Sequence, residues 1–346
     1  MNPYELLSQD APAKPPDPKT ASVLLWRLQH HLPKARRAEP EDDTLIWDAG
    51  PPTVQIQAVP HHQSFRLVVR TRVGRLHEID SVDRMFRLWG AGTDATATLQ
   101  VNPENGVVHA VLALNPMTGG WAHEGRLLQV ATLVKLLAVR VREARRAAQS
   151  AGLLCTDPDV QLGGWPDTEA ENAKHSAAVT GMLFWSHVTL TGTSKLGPWF
   201  SGKQQDDHLR ELLNRGWKKH TRRTATGVTL IAPAGEPDIA RVELAWADHS
   251  PTYGPMLRIL AWPRTVQPAT TGTLLRLQGE GVSPVRFGNW TPSSDVPAMN
   301  VPGEPVPEGM VFAVHLPAAL AHAGLLNDAW GWAEAAASAA SRRTTN

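Results

Sequence analysis

The stretches FRLWGAG (residues 86–92) and LRLQGEG (residues 275–281) decide the fold, because the same order of residue types occurs in both. Each places an apolar residue, Arg and Leu before two glycines that one residue separates. Residues 81–89 carry their apolar side chains on one helical stripe that stops at the glycines. Each stretch is therefore predicted to be the last turn of a short helix and its glycine exit into a strand.

A glycine-rich loop that cradles a phosphate is the other interpretation of these stretches. The dinucleotide fingerprint needs glycines that follow a strand and open a helix. Gly90 and Gly92 instead follow a predicted helix and precede a predicted strand, and Gly279 and Gly281 repeat that order. No nucleotide or other cofactor is therefore expected.

The elements around the first stretch follow the order helix, three strands, short helix, two strands, long helix. Residues 20–37 have helical spacing, and residues 44–73 contain three stretches that alternate apolar and polar side chains, as strands with one buried face do. Residues 95–114 are predicted to form a hairpin around the turn NPENG, because Asn and Gly supply the positive φ angles of such a turn. Residues 124–149 complete the unit as a long helix.

The second half of the chain repeats this order. Its predicted elements are a helix (208–223), three strands (227–233, 240–247 and 256–262), a short helix (270–281), two strands (284–290 and 309–316) and a closing helix (318–340). A proline-rich insertion, residues 291–309, separates the last two strands. The predicted fold class is therefore α+β, with two tandem α-β-β-β-α-β-β-α units whose antiparallel sheets each pack against helices.

The predicted domains follow from these two units, since 346 residues are many for a single core. Residues 1–19 are rich in proline and are predicted to be a disordered arm. Residues 20–149 and 208–346 are the two predicted domains. Residues 150–207 form the linker and connecting segment, which starts as an acidic stretch rich in Pro and Gly.

Composition limits the function classes. Lys and Arg number 34 against 33 Asp and Glu, so the net charge of +1 creates no strong field that would attract a polyanion. Cys155 is the only cysteine, which excludes an internal disulfide and a Cys-based zinc site and fits a reducing cytoplasm. The N-terminus has no secretory pattern, and no stretch is long and apolar enough to cross a bilayer. A cytoplasmic protein without membrane contact is predicted.

Motifs of catalysis and metal binding are absent from the sequence. There is no GxSxG and no HExxH, and no cysteine partnered with a histidine is expected. The pairs His30-His31 and His61-His62 lack the i, i+4 spacing that would direct two imidazoles at one ion from a helix. The chain is therefore predicted to be neither an enzyme nor a metal protein.

The basic stretch RGWKKHTRR, residues 215–223, is the candidate nucleic-acid site. Positive charge around an aromatic side chain is how many proteins hold single strands. The candidate residues are Arg215, Trp217, Lys218, Lys219, Arg222 and Arg223. The same cations also suit the C-terminus of a helix without any ligand, and Trp217 suits a helix core. Both interpretations stay open.

The helix predicted at 124–149 has more apolar surface than one sheet can cover. If one apolar stripe faces its own sheet, Leu128, Leu136 and Val139 are left over. Such a patch is rarely exposed to water, so these three residues are the candidate self-association contact of a homodimer. The alternative is that the other half of the chain covers them.

This order of elements resembles the type III secretion chaperones and the related YbjN-like proteins. The likeness is carried by VDRMFRLWGAG (82–92), by the hairpin ATATLQVNPENGVVHAVLAL (95–114) and by the helix after it. It covers residues 20–149 and, more loosely, residues 208–340. The chain departs from the family pattern in being about twice the length of one unit and in the insertion that splits its second hairpin.

The resemblance implies a non-enzymatic, dimeric module that binds another protein, often as an extended segment along its surface. The chain also resembles the duplicated YbjN-like proteins of radiation-resistant bacteria. For that type, the resemblance implies a single-stranded-DNA-binding protein of the DNA-damage response as the partner. Direct nucleic-acid binding through residues 215–223 is the alternative from another functional class.

Overall fold

The computed structural model shows an α+β protein. It describes residues 18–38, 43–48, 52–61, 64–91, 96–114, 124–155, 169–191, 202–212, 221–231, 238–250, 253–278, 287–321 and 324–342. Within these ranges there are seven α-helices and two antiparallel sheets, so the predicted α+β class is confirmed. Residues 1–17 of the predicted arm lie outside the described ranges, as do Gly92, Gly279 and Gly281.

The bounds of the elements are close to the predicted ones in most places. The helices are α1 (Pro18–His31), α2 (Val82–Ala91), α3 (Glu124–Ser150), α4 (Glu169–Thr191), α5 (Gly202–Leu212), α6 (Thr271–Gln278) and α7 (Leu325–Arg342). The strands are β1 (Arg36–Arg37), β2 (Thr44–Asp48), β3 (Thr53–His61), β4 (Ser64–Arg75), β5 (Thr98–Val101), β6 (Val107–Leu114), β7 (Thr221–Arg223), β8 (Gly227–Ile231), β9 (Ile239–Ser250), β10 (Gly254–Pro263), β11 (Asn289–Pro292) and β12 (Met310–Pro317).

The two sheets have six strands each and share one strand order. The first sheet runs β1-β2-β3-β4-β6-β5, and the second runs β7-β8-β9-β10-β12-β11 from the corresponding edge. A helix precedes each sheet (α1 and α5), a short helix follows the fourth strand (α2 and α6), and a longer helix follows the last strand (α3 and α7). The two halves of the chain therefore place the same kinds of elements in the same order.

Each sheet has an inner face, toward its longer helix, and an outer face on the opposite side. Successive side chains of a strand point to opposite faces, so on β4 Val69 points inward and Arg70 outward. Val69 is fully buried, whereas Arg70 is exposed. α3 packs against β4 of the first sheet, and α7 packs against β10 of the second. The inner faces therefore form the core.

The edge strands β5 and β11 join the two sheets. Ala97 and Phe287 form an antiparallel bridge just ahead of these strands, and the Thr98 hydroxyl donates a hydrogen bond of 2.6 Å to the carbonyl of Gly288. α2 contacts β11, and α6 contacts β5. Each short helix therefore reaches the sheet of the other half, and one apolar core runs through both halves.

Two predicted helix ends are wrong. α2 continues through Gly90 to Ala91, so Gly90 does not end that helix. The helix predicted at 208–223 is described at Gly202–Leu212, residues 213–220 lie outside the described ranges, and residues 221–223 form strand β7 instead. Their backbone pairs with residues 228–230 of β8, and an available strand edge outweighs the weak helical preference of a few residues.

The predicted connecting segment, residues 150–207, contributes to the core. Its long helix α4 packs against α3 and against residues 318–320 of the second half. Val179 and Leu183 of α4 are buried, and the Ser186 hydroxyl lies 2.9 Å from the Thr132 hydroxyl of α3. The connection is therefore helical from residue 169 to 191, and it packs against the core through Val179, Leu183 and Ser186. The boundaries of the two domains stay a prediction.

Candidate functional site

The outer face of the second sheet is covered by part of the predicted insertion. We call residues 293–309 the cover segment. Its base is closed by a hydrogen bond of 2.8 Å from the Ser293 amide to the Gly309 carbonyl. Val296 and Ala298 of the cover segment pack with Leu260 and Trp262, which point outward from β10, in a small apolar cluster separate from the main core. The cover segment therefore buries an apolar sheet face that would otherwise meet water.

Charged side chains of this face bind the backbone of the cover segment. Arg258 donates a hydrogen bond of 2.6 Å to the Pro297 carbonyl, and the Glu243 carboxylate accepts one of 3.0 Å from the Met299 amide. Arg241 donates to the Met299 carbonyl. Guanidinium donors and a carboxylate acceptor thus satisfy peptide groups that have no strand partner. This sheet face recognises an extended chain segment by its backbone.

Burial changes the acid-base properties of the groups under the cover segment. Arg241 and Glu243 form an ion pair with side chains 2% and 1% exposed. Loss of water around the carboxyl raises the pKa of Glu243, although the Met299 amide and Arg241 oppose that shift. Burial likewise raises the pKa of Asp248, which pairs with Arg258 at 2.7 Å. These charges have partners inside the protein and hold the cover segment in place.

His315, opposite Arg258 on β12, is the most strongly perturbed group of this face. It is 4% exposed, and its pKa is lowered to about 3, first by loss of water and then by the charges of Arg258 and Arg140. The imidazole is therefore neutral at every pH near neutrality. It acts as a packed polar side chain between two cations.

The outer face of the first sheet is different in character. Its arginines are Arg36 on β1 and Arg66, Arg70, Arg72 and Arg75 on β4, and it also carries Gln55, Gln57, His61 and His109. The strand register places them on one side, since Gln55 lies opposite Arg70 and Arg72 lies opposite His109. Asp48 at one corner is the only carboxylate among the described residues of this face. The face is therefore strongly basic.

Exposure of this basic face is greatest along β3 and at Arg70 and Arg75. Thr53, Gln55, Gln57, Arg70 and Arg75 are exposed, whereas Arg66 and Arg72 are half-buried. The connection between β5 and β6 is the tight turn Asn102–Gly106, closed by a hydrogen bond of 2.9 Å from the Gly106 amide to the Asn102 carbonyl. In the second sheet the same connection is the cover segment. The first sheet thus has no counterpart of that segment between its last two strands.

A cleft of about 360 Å³ lies where the basic face meets the short helices of both halves. Its walls include Arg70, Gln100 and His109 from the first sheet, Phe86 from α2, and Leu275 and Gln278 from α6. The cleft combines a guanidinium and amide groups with apolar side chains, among them Phe86 and Leu275. A ligand with an anionic or amide part beside an apolar part fits this chemistry.

Burial affects two polar side chains of the cleft, His109 and Gln278. Burial, followed by the charges of Arg70 and Arg72, lowers the pKa of His109. Gln278 is 2% exposed and donates a hydrogen bond of 2.8 Å to the Asn289 side chain. Its Oε1 atom is buried without a hydrogen-bond partner among the described residues. A ligand that donates an N–H group would satisfy this oxygen.

The structure separates the candidate nucleic-acid residues. Arg215, Trp217, Lys218 and Lys219 lie outside the described ranges. Arg222 and Arg223 are exposed on β7, the edge strand of the second sheet, and Arg223 pairs with Asp206 of α5 at 2.7 Å. The two described members are therefore neighbours on a strand and not on a helix.

The candidate self-association residues already have cover inside one chain. Leu136 and Val139 are 5% and 9% exposed, and Leu128 is half-buried. α1 and α4 both pack against α3, and the Gln129 side chain donates a hydrogen bond of 3.0 Å to the Leu320 carbonyl of the second half. Little of this patch is left for a second subunit, which favours the alternative that the rest of the chain covers it.

One cysteine does lie against a histidine, contrary to expectation. The Cys155 sulfur is 3.4 Å from His77 Nδ1 and 3.5 Å from the Leu76 carbonyl. The contact follows from backbone pairing, because the Cys155 amide bonds to the Arg75 carbonyl and Leu154 bridges Leu76. This backbone pairing is enough to explain why the Cys155 sulfur lies against His77.

The described ranges contain no group of three or more His, Cys, Asp or Glu side chains that could hold a metal ion. None of the described helices combines the length and the apolar character needed to cross a bilayer. Comparison of the chain with protein-family models, with curated proteins and with solved structures finds no match in any of the three.

The sequence did not predict that the outer faces of the two sheets correspond to each other and that only one of them carries a cover segment. The signal was present, because residues 291–309 were recognised as an insertion in one half only. The alternation of side chains along β4 also places Arg66, Arg70 and Arg72 on the same side of the sheet. What the sequence did not supply is the register that brings His109 and Gln100 beside Arg72.

Proposed function

We propose that this chain is a non-enzymatic protein-binding module of the YbjN-like, type III secretion chaperone-like kind, acting in the cytoplasm. The observation that carries the proposal is the cover segment. On the second sheet, Arg258 and Glu243 bind the backbone of an extended stretch of chain. The first sheet presents a face of the same architecture that has no such segment between β5 and β6. A segment of another protein is the natural occupant of that face.

A tandem duplication is part of this proposal. The shared strand order supports it, as do the reciprocal contacts of α2 with β11 and of α6 with β5. The bridge between Ala97 and Phe287 lies at the centre of this exchange. In a duplicated module one copy can keep the binding face while the other closes its face with its own insertion.

The partner and the assembly state are taken from the resemblance. It implies a single-stranded-DNA-binding protein of the DNA-damage response as the partner, and a homodimer as the assembly. The burial of Leu136 and Val139 within one chain favours another surface for such a dimer. α1 and α4 each carry an exposed tryptophan, Trp26 at 58% and Trp185 at 68%.

Affinity capture with the purified full chain, followed by mass spectrometry, tests the proposal. We expect one protein that is retained in near-stoichiometric amount and that binds again when both proteins are purified separately. A purified single-stranded-DNA-binding protein is the first candidate for that second step. Failure to retain any protein, together with measurable catalysis or tight oligonucleotide binding, would reject the module as a protein binder.

Direct nucleic-acid binding through residues 215–223 is the second candidate function. The exposure of Arg222 and Arg223 at a sheet edge favours it. A labelled oligonucleotide should then bind with an affinity that falls steeply with salt, because phosphate contacts release counterions. Arg222→Glu should weaken that binding. Binding that is absent at low salt would remove this candidate.

A further inference from the structure

We infer that the outer face of the first sheet, from β3 to the cleft between the short helices, is a docking surface for an extended acidic segment of a partner protein. This inference rests on the proposed protein-binding function and deepens it. It names the chemistry of the bound segment and the residues that receive it. It also distinguishes the first sheet, which binds a partner, from the second, which binds a segment of its own chain.

Charge is the first observation. Among the described residues, five arginines and His109 share this face with a single carboxylate, Asp48, which lies at a corner. The whole chain has a net charge of only +1, so this concentration is local and not a general property of the surface. A segment with several Asp or Glu residues would gain favourable contacts along β4 and would approach the face faster.

The cover segment supplies the second observation. It shows that the outer face of this architecture can hold an extended stretch through side chain to backbone hydrogen bonds. The covered face is apolar at Leu260, Trp262 and Val311, whereas the first sheet has Arg70, Arg72 and His109 on its outer side. An occupant of the first sheet must therefore be polar and negative where the cover segment is apolar.

The cleft is the third observation. Its apolar walls, Phe86 and Leu275, lie beside Arg70, so one apolar side chain of an acidic segment can enter next to a carboxylate that Arg70 binds. The buried Oε1 atom of Gln278 lacks a donor among the described residues, and a peptide N–H is such a donor. The cleft thus fixes the position of the segment along the face.

Nucleic acid is the other polyanion that a basic face attracts. Single strands are held by stacking of bases on aromatic side chains as well as by charge. Among the described residues that point outward from the first sheet there is no Phe, Tyr or Trp, and the aromatic rings are the imidazoles of His61 and His109. The observations therefore favour a peptide over a nucleic acid.

The test measures direct binding of two labelled probes to the purified full chain by fluorescence anisotropy. One probe is a decapeptide of glutamates with a few leucines, and the other is an oligothymidylate of ten nucleotides. We expect the peptide to bind more tightly than the oligonucleotide. Arg70→Glu should weaken peptide binding at least about tenfold, because it reverses an exposed charge at the mouth of the cleft.

Two further variants make the result specific. Gln55→Lys adds a cation opposite Arg70 on an exposed strand position and should strengthen peptide binding a few-fold, an effect that misfolding cannot produce. Arg210→Glu is the control, since it reverses an exposed arginine of α5 in the second half, outside both candidate sites, and should leave peptide binding unchanged. Circular dichroism of each variant checks the fold.

The possible outcomes separate this inference from the proposed function. If Arg70→Glu and Arg210→Glu bind the peptide equally, or the peptide does not bind, the inference is wrong. It is also wrong if the oligonucleotide binds more tightly and responds to Arg70→Glu, because the face then serves nucleic acid. A protein captured equally by wild type and Arg70→Glu would keep the proposed function and place its partner on another surface.

Discussion

The hydroxyl of Thr98 donates a hydrogen bond of 2.6 Å to the carbonyl of Gly288, across the edge strands that join the two sheets. Thr98 is 2% exposed, and Gly288 is buried as well. The bond lies beside the bridge between Ala97 and Phe287, where few backbone groups pair. Because few other bonds join the two halves here, we expect this hydrogen bond to contribute strongly to their alignment.

Thr98→Val should lower the free energy of unfolding by about 1–3 kcal/mol, because it keeps the shape of the side chain and leaves the Gly288 carbonyl buried without a donor. Urea denaturation measures the change. Thr53→Val, on the exposed side of β3, is the matched control and should change the stability by less than about 0.5 kcal/mol. Equal effects of the two variants would contradict a special role of the junction.

Gly288→Ala should destabilise the protein by about 2 kcal/mol or more. A methyl group there would lie 2.6 Å from the Ala313 carbonyl, and the φ of +133° is one that side chains rarely adopt. Gly331→Ala in α7 is the matched control, since a methyl group at that position meets nothing within 4 Å. It should raise the free energy of unfolding by about 0.5–1 kcal/mol. Opposite signs in thermal denaturation are the expected result.

The sequence predicted the fold class and most elements because their signals are local. Alternation of apolar side chains marks β3 and β4, and the turn Asn102–Gly106 marks the hairpin of β5 and β6. The strand β7 was predicted as helix because residues 221–223 form a strand only through pairing with β8. Pairing partners are distant in the chain, and a local pattern does not contain them.

The candidate sites were harder to predict for the same reason. The apolar surplus of α3 is visible in the sequence, but α1 and α4 both pack against this helix, and the sequence of α4 showed no clear pattern. The basic face depends on strand register, which brings residues of β3, β4, β5 and β6 onto one side. The cleft needs α6 from the second half as well as α2 from the first.

His315 should make the protein less stable in mild acid. Its pKa is about 3 in the folded chain and about 6.5 in an unfolded chain, so only the unfolded state takes up its proton between these values. The group therefore contributes stability above pH 6.5 that is lost as the pH falls toward 3, at up to about 1.4 kcal/mol per pH unit. Glu243 and Asp248 have raised pKa values and act in the opposite direction as they become protonated.

His315→Gln isolates this contribution because it keeps a neutral polar side chain and removes the titration. The free energy of unfolding of the variant should fall less than that of the wild type between pH 6.5 and pH 4, as measured by urea denaturation. His249→Gln, at an exposed position of β9, should leave the wild-type slope unchanged. A wild-type slope in His315→Gln would show that this imidazole is not the group responsible.

Leu136→Ala distinguishes cover inside one chain from cover by a second subunit. Leu136 is 5% exposed within a single chain, and its truncation should cost about 2–5 kcal/mol at every protein concentration. If the side chain were instead at a subunit contact, the loss would depend on concentration, since association stabilises by mass action. Trp185→Ala, at a side chain 68% exposed, is the control for a surface position of the neighbouring helix α4. Both variants and the wild type are compared by sedimentation and by denaturation at two protein concentrations about a hundredfold apart. If the stability lost in Leu136→Ala depends on concentration, α3 is a dimer contact. If that loss is constant and sedimentation is unchanged, Leu136 is covered within one chain.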